Sequence, residues 1–159
     1  MGARSEELAR QFEAKSREAL ATLDRLGDAD WKKVTAAEGW SVGVTAHHLA
    51  SVLEPISAMI RAVAAGQAPG NLSMPMLDEM NARHAKDFAE CTRAETIALH
   101  RTGATTVAAT IRGLSDAELA TSGIVLKGVP PMTAEQLVQG ALLGHIDEHY
   151  GSIRKTVGH

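Results

Sequence analysis

Near one end of the sequence stands His145-Ile146-Asp147-Glu148-His149. Residues four apart on a helix share a face, with Cβ atoms roughly 6 Å apart. Imidazole nitrogens from two such positions can converge on one metal ion at roughly 2.0–2.1 Å. The pair keeps register with Leu137, Ala141 and Ile153, so both rings project toward a helical core, where an unpartnered imidazole is costly unless it is hydrogen-bonded or ligated. Two partly exposed histidines with ordinary hydrogen bonds fit the same spacing. A zinc-protease motif does not, because its general-base Glu directly follows the first His, and that position here is Ile146.

A second group lies in Gly39-Trp40-Ser41-Val42-Gly43-Val44-Thr45-Ala46-His47-His48-Leu49. It puts two histidines one or two turns into a helix that starts behind a tryptophan. Taken alone, a histidine there is a structural residue. Taken with the 145/149 pair, two facing helices can supply three nitrogens and leave other positions open to water or substrate. A bundle that binds no metal predicts instead that His48 lies far from His145 and His149. Asn81 and His84 share a face of another helix and are placed to contact the open side of such a site. Glu54 and Asp147 are the carboxylates expected to hold a ligating imidazole through its other nitrogen. Cys91 reads as a small buried apolar residue, and His100 and His159 as peripheral.

The elements that must position these residues are helical. The first pattern runs over 5–26, with Leu8, Phe12, Ala19, Leu23 and Leu26 on one face and Lys15 and Ser16 weakening that stripe midway. Residues 28–39 form a connection with one helical turn around Trp31. Ser41 is the N-cap of a second helix reaching 65, with a stripe through Leu49, Leu53, Ile56, Ile60 and Val63 and a local bend or one interrupted hydrogen bond at Pro55. A third pattern begins near Pro75 and continues to about 112 through Leu77, Met80, Phe88, Cys91, Ala94, Ile97 and Ala98, with Gly103 as its weak point. Ser115 with Glu118, and Thr133 with Gln136, have capping-box spacing, the second pair opening the last helix, which ends near Val157. Residues 124–126 are the one short extended run. The pattern predicts an all-α protein, an antiparallel four-helix bundle, as one domain over 1–159.

Composition narrows the function classes. A net charge of −3 with pI near 6.1 gives no basic footprint for nucleic acid. No uninterrupted apolar run approaches membrane-spanning length. The Gly140–Gly144 spacing sits among charged residues and indicates close packing of helices away from lipid. One cysteine excludes an internal disulfide framework and fits a reducing cytoplasm, and the charged N-terminal residues lack the apolar run of a signal peptide.

The segment Trp40-Ser41-Val42, five residues, then His48-Leu49, followed far along the chain by His145-x3-His149, resembles the DinB-like superfamily over nearly the whole chain. These are four-helix bundles that include thiol-dependent transferases and the N-terminal domain of mycothiol-dependent maleylpyruvate isomerase. The resemblance implies that His48, and not His47, joins His145 and His149 as metal ligands; His47, next to it and about 100° away around an ideal helix, is expected to be exposed or behind the site. It implies a divalent ion (zinc, nickel or iron), a low-molecular-weight thiol as cosubstrate of a transferase or isomerase acting on a small molecule, and a homodimer. A metal-binding, stress-associated interaction protein without catalysis is the alternative. After the last ligand the chain has Tyr150-Gly151-Ser152 where relatives frequently carry an Arg, Gly or Gln grouping, so no particular substrate transfers.

Overall fold

The computed structural model describes residues 2–159. In chain order the elements are α1 (Ala3–Asp24), the single turn α2 (Asp28–Trp31), α3 (Val42–Ala64), α4 (Met74–Asp87), α5 (Arg93–Arg112) and α6 (Asp116–Ala120). A small antiparallel pair, β1 (Ser122–Gly123) and β2 (Met132–Thr133), then leads into a last helix. That helix is built from α7 (Ala134–Leu137), a π-helical segment (Val138–Gly144) and α8 (His145–Val157). The four-helix bundle predicted from the pattern is present, made of α1, α3, α5 and the last helix.

Local signals act where the sequence places them. Ser41 caps α3, its Oγ accepting from Val44 N–H at 3.0 Å, and α3 continues through Pro55. The Ser115/Glu118 and Thr133/Gln136 boxes both close reciprocally. The expected stripe is buried, Leu8, Phe12, Ala19 and Leu23 on α1 and Leu26 just beyond its end. The weak point in that stripe has a use. Ser16 is buried against His100 of α5, its Oγ 2.8 Å from Nε2, while Lys15 turns out to pair with Asp147 at 2.6 Å.

The third helical pattern is two helices. The chain leaves helix at Phe88 and re-enters at Arg93, where Thr92 and Glu95 form a further capping box. Gly103 is no break. A Cβ there would lie 2.9 Å from the Leu53 Cβ, so the missing side chain lets α3 and α5 approach closely. The buried face of α5 is Thr96, His100, Gly103, Val107 and Ile111, a helical stripe whose first three members are not apolar. No residue of α4 is buried; it lies on the outside of the bundle.

The helix directions also differ from the antiparallel expectation. Contacts between Leu26 and Arg93, Ser16 and His100, and Glu13 and Arg112 make α1 antiparallel to α5. Those between Arg4 and Glu135, Lys15 and Asp147, and Thr22 and Arg154 make α1 parallel to the last helix. Leu53 against Gly103 and Ser57 bonded to Thr110 make α3 parallel to α5. The order is up, down, down, up. The cause is the crossover over 65–92, in which α4 carries the chain back along α3 before α5 starts. Residues 124–126 do not form the expected strand. Pairing lies at 122–123 with 132–133, Val125 is buried, Ile124 is exposed, and Leu126 makes an isolated bridge with Leu72.

In the last helix the core-facing stripe shifts phase. Leu137 and Leu142, five residues apart, are both buried, one turn of the wider π-helical segment between them. From there Ile146, His149, Tyr150 and Ile153 face inward, whereas Ala141 and His145 are half-buried. The stripe read with a constant step of four is therefore displaced upstream of the site.

Candidate metal centre

The end of the bundle where α3 and α5 begin carries the histidines. His48 sits in the second turn of α3, and antiparallel to it the last helix brings His145 and His149. The ring centroids of His48 lie 5.5 Å from His145 and 5.1 Å from His149, both nearly edge-on, and the one-turn pair is separated by 4.6 Å. One nitrogen from each ring can be chosen so that all three lie within 4.8 Å of one another. His48 is 5% exposed and His149 7%, with His145 half-buried. The separation expected of a bundle that binds no metal is not observed.

Burial decides the protonation state. It pushes His48 down to about 3, helped by the neighbouring His149, His145, His84 and His47. It pushes His149 down to about 4, helped by His145. His145 is lowered by burial against the opposing pull of Glu148 and a hydrogen bond to the Ala141 backbone. All three rings are thus neutral near pH 7, with lone pairs free, as a metal requires of imidazole. The donor set fits a divalent ion: three convergent neutral imidazoles, each offering one nitrogen to a common point.

Other sequence candidates fall in different places. His47 is not exposed. It is 6% exposed, its Nδ1 lies 2.8 Å from His84 Nε2, and its ring stacks on Phe88. His84 does come to the site, its ring 5.7 Å from that of His48, and burial beside His47 lowers it to about 4. Asn81 is half-buried without a recorded side-chain bond among the described residues. Neither expected carboxylate reaches the trio. Asp147 is occupied by Lys15 on the outside, and Glu54 accepts from Thr106 Oγ1 at 3.4 Å on an exposed face.

The carboxylate near the site is Glu38, which the sequence reading passed over. It comes from the connection between α2 and α3, with Oε2 3.9 Å from His149 Nδ1 and both side chains 8% exposed. That connection is pinned at several points. Thr35 N–H donates to Trp40 O at 2.8 Å, Val42 N–H to Lys33 O at 2.7 Å and Gly39 N–H to Thr35 O at 3.0 Å. Gly39 has φ +72, a left-handed turn between Glu38 and Trp40. Gly43 lets the Trp31 ring pack onto α3, since a Cβ there would sit 2.5 Å from it. The Trp40 ring then covers His48 at 5.2 Å. The only hint in sequence was a Glu-Gly pair directly before the tryptophan.

His100 is not peripheral. It is fully buried at mid-bundle, burial lowers it to about 4, and the Tyr150 ring stands perpendicular to it at 6.3 Å. Cys91 is buried, as expected, and burial pushes its thiol up.

The family model of the DinB superfamily matches residues 11–153. The chain belongs to that superfamily. Among solved structures, a DinB-like fold is shared with mycothiol-dependent maleylpyruvate isomerase, crystallised as a histidine-to-alanine mutant. The TM-score is 0.72 at 12% identity, over 96% of this chain. This DinB chain spans 60% of the isomerase's length. No curated protein sequence matches significantly. No helix among the described residues is long and apolar enough to cross a membrane.

Proposed function

We propose that this chain is a divalent-metal-dependent enzyme that transfers or isomerises a small molecule with a low-molecular-weight thiol as cosubstrate. The observation that carries the reading is the convergence of His48, His145 and His149 from two helices at one end of the bundle. When bound there, a dication keeps most of its charge against three neutral ligands and lowers the pKa of a thiol or water that reaches it.

The protein's own residues supply the rest. Burial keeps the three imidazoles unprotonated, so they act as ligands and not as general bases. Trp40 covers one side of His48 and also lines a shallow groove of about 280 Å³ with Gly39, Ser41, Val44, Ala85 and Ala89, which none of the three histidines lines. The competing reading is that metal only pins α3 to the last helix. A structural site closes with a fourth protein ligand, and among the described residues the mutually close donor set is the three histidines, which favours the enzyme.

Elemental analysis of the untagged chain beside His48→Ala and His149→Ala tests this directly. Stoichiometric divalent metal in the wild type and its loss in both variants is the expected result; stoichiometric metal surviving both substitutions overturns the site. A thermal-shift screen of metal-loaded and metal-free protein with low-molecular-weight thiols then reads the cosubstrate. Stabilisation by a thiol only when metal is present supports the enzyme, and the absence of any metal-dependent thiol response leaves the pinning role.

A further inference from the structure

Glu38 is an anomaly. Its side chain is 8% exposed, yet neither oxygen has a hydrogen-bond partner among the described residues. Burying a carboxylate without partners is costly, far more so than burying a neutral polar group. The nearest polar atom of His149, its Nδ1, is buried and without a partner as well. The 3.9 Å between Nδ1 and Oε2 lies just beyond hydrogen-bond range. Two unsatisfied groups of complementary kind thus face each other at the edge of the trio.

We infer that Glu38 is a positioning residue: its carboxylate takes the Nδ1–H of His149 and holds that ring with Nε2 turned toward His48 and His145. The inference rests on the metal reading above. Glu38 is not itself a member of the convergent donor set, which comprises the three histidines, so it stands behind His149 and does not close the site. Its acceptor charge fixes the tautomer that leaves Nε2 free and makes His149 a stronger ligand, the effect that carboxylates bonded to ligating imidazoles have elsewhere. The mount is rigid enough for that task. Thr35, Gly39 and Val42 all hydrogen-bond within the connection, and Gly39 makes the turn that sends Glu38 and Trp40 to His149 and His48 respectively. Asp147 and Glu54, the two carboxylates expected from the sequence to hold a ligating imidazole, are engaged by Lys15 and Thr106.

The role separates from a merely structural one by sign. In metal-free protein the unpaired carboxylate is a burden; with metal bound it is an asset. Wild type, Glu38→Gln and Glu38→Ala are therefore compared by chelator competition for zinc and by thermal melting of the metal-free forms. The expected result for Glu38→Ala is a loss of metal affinity of roughly 10–100-fold, with a metal-free melting temperature equal to or above that of wild type. Glu38→Gln keeps an acceptor oxygen without the charge and falls between. A zinc affinity of Glu38→Ala indistinguishable from wild type overturns the proposal while leaving the metal site standing. So does a loss of affinity matched by melting of both metal-free variants well below wild type, which marks Glu38 as a prop for the loop. Wild type that takes up none of zinc, nickel or iron defeats the metal reading first, and this inference with it.

Discussion

His100 and His149 are both buried in the same bundle, and burial is the first cause that pushes each ring to about 4. Their company differs. His100 stands alone between α1 and α5, its Nε2 beside Ser16 and the Tyr150 ring edge-on to it. His149 shares its end of the bundle with His48 and His145, and with a carboxylate that has no other partner. A depressed pKa therefore reports burial in both places. Buried polar atoms without partners occur in both places, His100 Nδ1 and the Tyr150 hydroxyl among them; convergence of lone pairs is what separates a candidate centre from a polar element of the core.

The largest expected effect crosses the two regions. His145→Ala should weaken metal binding by more than the roughly 10–100-fold typical for loss of an outer partner, with the fold retained. His100→Ala should leave metal stoichiometry intact and cost about 2–4 kcal/mol of stability, as truncation of a fully buried side chain does. Urea unfolding and metal analysis of both variants check the pair; loss of metal on His100→Ala would dissolve the distinction.

Next in size is a pH effect specific to His100. A histidine whose folded pKa is lowered is held neutral in the fold and is free to protonate when unfolded. Its contribution is complete above the ordinary value near 6.5 and is lost as pH falls from there toward 4. For His100 this makes the fold about 2 kcal/mol less stable at pH 5 than at pH 7. His100→Gln should remove that share, so the drop in unfolding free energy between the two pH values shrinks by a similar amount. An unchanged drop would mean that His100 is already protonated, or hydrated, in the folded protein. The smallest effect tests the partner: Ser16→Ala strands the His100 Nε2 and should cost about 1–2 kcal/mol with no change in metal affinity, measured by the same unfolding curves.

Much of the architecture was readable because its signals are local. The α1 stripe, the Ser41 cap and the two capping boxes each need only a few neighbouring residues, and each forms. The division at 88–92 was missed although Thr92 and Glu95 have the same box spacing as pairs that were recognised. The α5 stripe was hidden because Thr96, His100 and Gly103 occupy core positions without apolar side chains. Helix direction depends on the crossover, which no periodicity encodes. At the site, the 145/149 pair was legible from helix geometry, and the choice of His48 over His47 came through the family pattern; the structure brings His48 to the pair and turns His47 to His84. Glu38 stayed invisible because its approach to His149 depends on a left-handed turn at Gly39 and on the packing of a connection, and neither leaves a periodic trace.

The π-helical segment over Val138–Gly144 acts as a gear between the two halves of the last helix. Upstream, the Thr133 cap and the short hairpin clock the helix to the rest of the bundle; downstream, His145 and His149 must point at α3. An α-helix advances about 100° per residue, whereas the wider turn advances less, so these seven residues determine the bearing at which both imidazoles leave the helix. Among relatives whose last helix is α-helical throughout, an alignment that is correct at the cap will therefore need a one-residue gap before the first histidine, and a comparison that ignores the gap will pair ligands with residues on another meridian of the cylinder.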